Sequence, residues 1–106
     1  MEKALSSINL SIVIPVFNEQ EVLPALMMEL YSVCNSLSRN YEVILVDDGS
    51  RDKTPQILKE FADKDSRVKV LRFSRNFGHQ AAFNAGLDVA RGDLIVTMDG
   101  DLQHPP

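Results

Sequence analysis

The chain's acidic residues stand where they could do chemistry. Asp99-Gly100-Asp101 follows the apolar run Asp93–Met98. Two carboxylates one residue apart on a turn can point to one side and share a hard divalent cation. The glycine between them permits tight backbone geometry. Magnesium or manganese accepts such oxygens while keeping waters and phosphate oxygens, and a metal bridging a diphosphate would neutralise its leaving charge. The bland alternative is a solvated Asp-Gly turn. Asp47-Asp48-Gly49-Ser50 is the second cluster. Its carboxylates could accept from a pyrimidine or guanine ring N–H, or from ribose hydroxyls. The same residues equally suit a β-to-α turn in which Asp-Gly favours left-handed geometry. Gly78–Gln80 opens a predicted helix, and a helix start can bind an anion. Arg75 could add a bidentate phosphate contact, although an exposed arginine and an ordinary helix start fit as well. His79 and His104 read as polar loop residues rather than metal ligands.

Four short apolar runs must position these groups: Leu10–Val16, Tyr41–Val46, Val68–Phe73 and Asp93–Met98. Each is rich in Val, Ile and Leu, as strands buried on both faces are. Helical spacing fills the intervals. The first helix is predicted over about 19–37, with Leu23, Leu26, Met27, Leu30, Cys34 and Leu37 on one face. Asn18 and Glu21 have capping-box spacing, while Pro24 predicts a kink or a late start. The second helix is predicted over 55–64, with Thr54 as N-cap and Pro55 at the first position. Ile57, Leu58, Phe61 and Ala62 form its buried stripe. The third is predicted over 79–91, stopped by Gly92, with Ala81, Ala82, Ala85 and Gly86 small enough for close approach to a sheet. Alternation of this kind demands a parallel sheet with helices on both faces. Right-handed crossovers favour a doubly wound α/β sheet of strand order 3-2-1-4. Ligands of such sheets bind outside the carboxyl ends of the strands, where the order reverses. That places Phe17, Asn18, Glu19, Asp47, Asp48, Gly49, Ser50, Ser74, Arg75, Asn76, Asp99, Gly100, Asp101 and Gln103 on one rim.

The remaining features bound the answer. With 106 residues there is room for one core and a single domain, 1–106. Cys34 is the only cysteine, so no disulfide forms within the chain, and its helical spacing among leucines reads as packing. No apolar run approaches the roughly 20 residues needed to span a bilayer. Met1–Ser7 carries Glu2 and lacks the apolar stretch of a signal peptide, so the chain as given reads as soluble. A net charge of −4 argues against general nucleic-acid binding. The charge is uneven: residues 1–50 hold two basic and seven acidic residues, and the later basic excess lies in Arg51–Arg75. The first strand is not followed by Gly-x-Gly-x-x-Gly, and neither a P-loop nor a Gly-x-Ser-x-Gly elbow occurs. A phosphoacceptor receiver would want its acidic pair after the first strand and a fifth strand with lysine.

Four segments, in order, resemble family 2 glycosyltransferases of the GT-A fold. Ser11-Ile12-Val13-Ile14-Pro15-Val16-Phe17-Asn18-Glu19 is similar to their opening strand, and Val43–Asp52 to their second-strand motif. Gly92–Pro106 is similar to their Asp-x-Asp strand and loop. Ser74-Arg75-Asn76-Phe77-Gly78-His79-Gln80-Ala81-Ala82 and the Leu102-Gln103-His104-Pro105-Pro106 ending narrow the resemblance. They are similar to the polyprenyl-phosphate branch, which includes dolichyl-phosphate mannose synthases and bacterial undecaprenyl-phosphate glycosyltransferases. The resemblance implies a UDP-sugar or GDP-sugar donor, Mg²⁺ or Mn²⁺, and a polyprenyl-phosphate acceptor. By position it implies that Pro15, Phe17, Asn18 and Glu19 line the base and ribose pocket. It implies that Asp47 and Asp48 contact the base and that Gln80 lies near the nucleotide. Asp99 would face the ribose and sugar phosphate and border the metal, which Asp101 and Gln103 would hold.

The resemblance further implies that a donor-binding half ends just after the Asp-x-Asp loop. The acceptor half and catalytic base, an aspartate in inverting members, would lie beyond it. The expectation is a truncated chain that binds nucleotide without turnover. Its parent enzyme would work on the cytoplasmic side of the membrane. Two other readings stand beside it: a non-catalytic nucleotide- or metal-binding α/β module, and a homo-oligomerising fragment whose open sheet edge invites pairing.

Overall fold

The computed structural model describes residues 8–37 and 40–98. Seven elements alternate along the chain: β1 (Ile8–Val16), α1 (Leu23–Asn35), β2 (Tyr41–Asp47), α2 (Thr54–Lys64), β3 (Val68–Arg72), α3 (His79–Val89) and β4 (Gly92–Thr97). The four strands form one parallel sheet of order β3-β2-β1-β4, as the alternation predicts. β1 is central. It pairs with β2 from Leu10↔Tyr41 to Val16↔Asp47, and with β4 from Ile8↔Gly92 to Val13↔Thr97. Pro15 lies two residues past Val13, where the described β4 pairing stops, and with no N–H it cannot extend that ladder.

Side chains alternate across the sheet. Leu10, Ile12, Ile14 and Val16 of β1 and Tyr41, Val43 and Leu45 of β2 pack with Leu23, Leu26, Met27, Leu30 and Cys34 of α1 and Leu58 of α2. On the other face Val13, Ile44 and Val46 meet Ala82 of α3. Gly86 brings α3 down onto this face: a Cβ there would lie 2.3 Å from Val13 Cγ1. Among the described residues no helix is long and apolar enough to cross a membrane.

Several local expectations are corrected. The Asn18–Glu21 capping box does not form. The helix starts late, at Leu23 with Pro24 in its first turn, its N-cap is Val22, and Asn18 is engaged elsewhere. Thr54 is the first residue of α2 rather than its N-cap, because its hydroxyl serves another loop. Gly92 does not stop α3. The helix ends at Val89 with Ala90 as C-cap, and Gly92 opens β4. Leu37 lies past the end of α1 and is exposed. β3 and β4 are not buried on both faces. Only Val68 of β3 is fully buried, and Leu94 of β4 is 62% exposed. The reason is position: β3 and β4 are the outer strands of the sheet.

Candidate functional site

The carboxyl ends of β1, β2 and β3 lead into three loops that are joined by side-chain-to-backbone hydrogen bonds. Asn18 adopts a left-handed conformation, φ 53°. Its N–H donates to Ser50 Oγ at 2.8 Å, and its own Oδ1 accepts from the Arg51 N–H at 2.8 Å. Thr54 Oγ1 accepts from the Glu19 N–H at 2.9 Å. Asp52 Oδ2 accepts from the Gln20 N–H, and Gln20 Oε1 accepts from the Lys53 N–H. The loops after β1 and β2 are thus zipped together. Burial pushes the Asp52 carboxyl up, but the Thr54 and Gln20 donors outweigh it and hold it below the usual range.

The acidic pair after β2 turns inward. Asp47 is fully buried. Its Oδ1 accepts from the Ser50 N–H at 2.9 Å and shapes the turn, while Oδ2 has no hydrogen bond among the described residues and lies 3.8 Å from Arg72 Nε. Asp48 is 4% exposed and holds the loop before α3. Its Oδ1 accepts from the Phe77 N–H at 2.8 Å, and its Oδ2 from Asn76 Nδ2 at 2.9 Å and the Gly78 N–H at 3.1 Å. The amides at the entrance of α3 therefore already face an anion, the protein's own carboxylate. Gly49 lets the loops cross: with φ +78°, a Cβ there would sit 2.3 Å from the Arg75 carbonyl carbon.

A cleft of about 470 Å³ opens between these loops, lined by Phe17, Gly49, Ser50, Arg51, Ser74, Arg75 and Asn76. Phe17 is 41% exposed. The Arg75 guanidinium stacks 4.5 Å over the Phe77 ring. A ring face, hydroxyls, backbone groups and two arginines can receive a planar heterocycle and an attached anion. A neighbouring cleft of about 290 Å³ is bordered by Asn18, Glu19, Gln20, Glu21, Val22 and Asp52.

Of the expected site residues, Phe17, Asn18, Glu19, Asp47 and Asp48 come together at this rim, and Pro15 lies in β1 just below it. Gln80 is on the first turn of α3, where its Nε2 donates to Asn84 Oδ1 at 3.2 Å. His79 opens α3 and packs edge-on against Phe83. Asp99, Asp101, Gln103 and His104 lie outside the described residues. Among the described residues no group of three His, Cys, Asp or Glu side chains is placed to hold a metal. Sequence reasoning placed Ser50 on the rim but did not foresee that Ser50, Asp52 and Thr54 bind the β1 loop. The available signal was their density of short polar side chains directly after a strand.

Known proteins are similar to this chain in sequence and in fold. The undecaprenyl-phosphate 4-deoxy-4-formamido-L-arabinose transferase of Pseudomonas fluorescens (strain SBW25) is 50% identical over 97 residues, which is 91% of this chain and 28% of that protein. The glycosyltransferase YkcC of Bacillus subtilis (strain 168) is 48% identical over 99 residues, 93% of this chain and 31% of that protein. The chain thus spans less than a third of these relatives. In fold it is similar to S. aureus TarS 1–349 in complex with UDP, with a TM-score of 0.75 and 26% identity over 89% of this chain and 28% of that one. It is also similar to the mannosyltransferase PcManGT from Pyrobaculum calidifontis in complex with GDP-Man and Mn²⁺, with a TM-score of 0.76 and 22% identity over 94% of this chain and 29% of that one. The strand order and the fold are those of GT-A glycosyltransferases. The model for glycosyl transferase family 2 matches residues 11–106, and the chain belongs to that family.

Proposed function

We propose that this region is the donor-binding part of an inverting glycosyltransferase that takes a UDP-sugar or GDP-sugar and delivers the sugar to a polyprenyl phosphate. The observation that carries the reading is the cleft between Phe17 and Arg75–Asn76, at the carboxyl ends of three parallel strands. The base lodges there, with Pro15, Phe17, Asn18 and Glu19 on the β1 side. Asp47 and Asp48 hold the two loops that border it. A base reaching Asp48 shares its oxygens with Asn76, Phe77 and Gly78. Gln80 stands at the α3 side, and Asp99 faces the ribose and sugar phosphate. Asp99, Asp101 and Gln103 supply two carboxylates and an amide, a donor set that suits Mg²⁺ or Mn²⁺. Such a metal would stabilise the leaving diphosphate. The polyprenyl-phosphate acceptor is supported by what the curated relatives are named for. In the longer protein the acceptor half supplies the base, and transfer takes place at the cytoplasmic face of the membrane.

Calorimetric titration tests the reading. UDP or GDP is expected to bind in the presence of Mn²⁺ or Mg²⁺ and not after chelation, and Asp101→Ala is expected to abolish that metal dependence. Failure of both diphosphates to bind with either metal would remove the donor-site assignment.

A further inference from the structure

Away from the rim, near the amino ends of the strands, one carboxylate is buried with a full set of partners. Glu42 of β2 is 1% exposed. Its Oε2 accepts from Ser11 Oγ of β1 at 2.6 Å and from the Arg91 N–H at 2.7 Å. Its Oε1 accepts from Lys69 Nζ of β3 at 2.7 Å. Ser11 Oγ in turn accepts from the N–H of Gly92, the first residue of β4, at 2.7 Å. A single carboxylate therefore ties β1, β2 and β3 to the start of β4.

β4 is where the tie matters. A strand's register is ordinarily fixed by the burial of one face. Every residue of β4 after Gly92 is exposed, and β1 is its neighbour in the sheet. Packing alone thus discriminates poorly between the observed register and a slipped one. The Glu42–Ser11 joint discriminates well. A one-residue slip would strand the Arg91 and Gly92 amides and their acceptors, which are costly to leave unpaired. It would also bring a residue with a Cβ to the place of Gly92, where that atom would lie 2.6 Å from the Ser11 nitrogen.

We propose that Glu42 is a positioning residue: through Ser11 and the Arg91 and Gly92 amides it sets the register of β4 on β1. It thereby fixes where Thr97 and Met98 deliver the chain to the rim. Only the functional consequence of this role rests on the donor-site reading. A slip of one residue displaces the strand by about 3.3 Å and exchanges its two faces. That distance exceeds the tolerance of a hydrogen bond or a metal–oxygen contact.

Amide hydrogen exchange, followed by NMR on the 106-residue chain, tests the role. Met98 N–H, which donates to the Val13 carbonyl at 3.1 Å, reports on β4. Asp48 N–H to the Val16 carbonyl and Phe73 N–H to the Asp47 carbonyl, each 2.9 Å, report on the other two strand pairs at the same end of the sheet. Glu42→Met removes both acceptors at similar volume and is expected to lower Met98 protection about tenfold relative to the two controls. Glu42→Gln keeps one carbonyl oxygen for Ser11 and Arg91 and is expected to stay within about threefold of the parent chain. Ser11→Ala is expected to reproduce the loss selective for β4, and it decides the matter with Glu42→Gln if Glu42→Met does not fold. Equal loss at all three amides, or the same loss in the Gln and Met variants, overturns the proposal. Mn²⁺-dependent UDP affinity is expected to weaken about tenfold in Ser11→Ala and to hold in Glu42→Gln. A parent chain that binds no UDP refutes the donor-site reading, and the exchange pattern still judges the register role.

Discussion

Asp48 offers the sharpest test of how the rim is built. Its carboxylate receives Phe77 N–H at 2.8 Å, Asn76 Nδ2 at 2.9 Å and Gly78 N–H at 3.1 Å, in a nearly closed environment. A hydrogen bond to a charged group contributes about 1.5–3 kcal/mol. Asn76 and Phe77 are themselves exposed, so their donors recover water when the carboxylate is removed. Asp48→Ala is therefore expected to cost about 3 kcal/mol rather than the simple total of three bonds. For a domain near this size that lowers Tm by about 12–20 °C. Asp48→Asn keeps one oxygen for the two amides but turns an NH₂ toward Asn76 Nδ2, and is expected to cost about 1 kcal/mol. Urea unfolding followed by circular dichroism gives the stabilities, and amide shifts of Phe77 and Gly78 report the loop. A change below about 0.5 kcal/mol for Asp48→Ala would refute the reasoning, as would an Asn variant as damaged as the Ala variant.

Three further outcomes can be checked with the same protein. Gly49→Ala is expected to cost about 3 kcal/mol by thermal melt, because φ +78° is strained for an L residue and the added Cβ meets backbone at 2.3 Å. Burial pushes the Glu42 carboxyl up, but Lys69, Ser11 and the Arg91 amide outweigh it and hold it below the usual range. A depressed carboxyl stabilises the fold above its unfolded value of 4.5, and that contribution is lost as pH falls through the lower folded value. The urea midpoint should therefore drop steeply below about pH 4.5, with a shallower slope in Glu42→Gln. Burial pushes the Cys34 thiol up. Folded protein should therefore react with a thiol reagent at least about a hundredfold slower than protein in urea.

The sheet was legible because its signal is local. Apolar–polar alternation is absent from Ile12–Val16 and Val43–Val46, and continuous apolar runs of that length mark buried parallel strands. Strand order followed from handedness once the succession of strands and helices was read. The edges of elements were less legible. Gly92 looks like a helix stop in sequence, yet its lack of a side chain serves contact with Ser11, 81 positions away. Asn18 looks like a helix cap, yet its partners Ser50 and Arg51 lie 32 and 33 positions away. The place of the rim could be predicted from topology. The duties of its carboxylates could not, because Asp48 looks the same in sequence whether it faces a ligand or the Phe77 amide.

The central position of β1 has a consequence for biogenesis. β1 leaves the ribosome before the other three strands, yet its β4 partner follows only after α3. Pairings this distant in sequence carry a high loop-closure cost and form slowly. During synthesis β1 can recruit β2 early, but its other edge stays open until β4 arrives. While these elements are being made, the nascent chain thus carries an unpaired edge on a strongly apolar strand, a natural substrate for chaperones that shield hydrophobic segments.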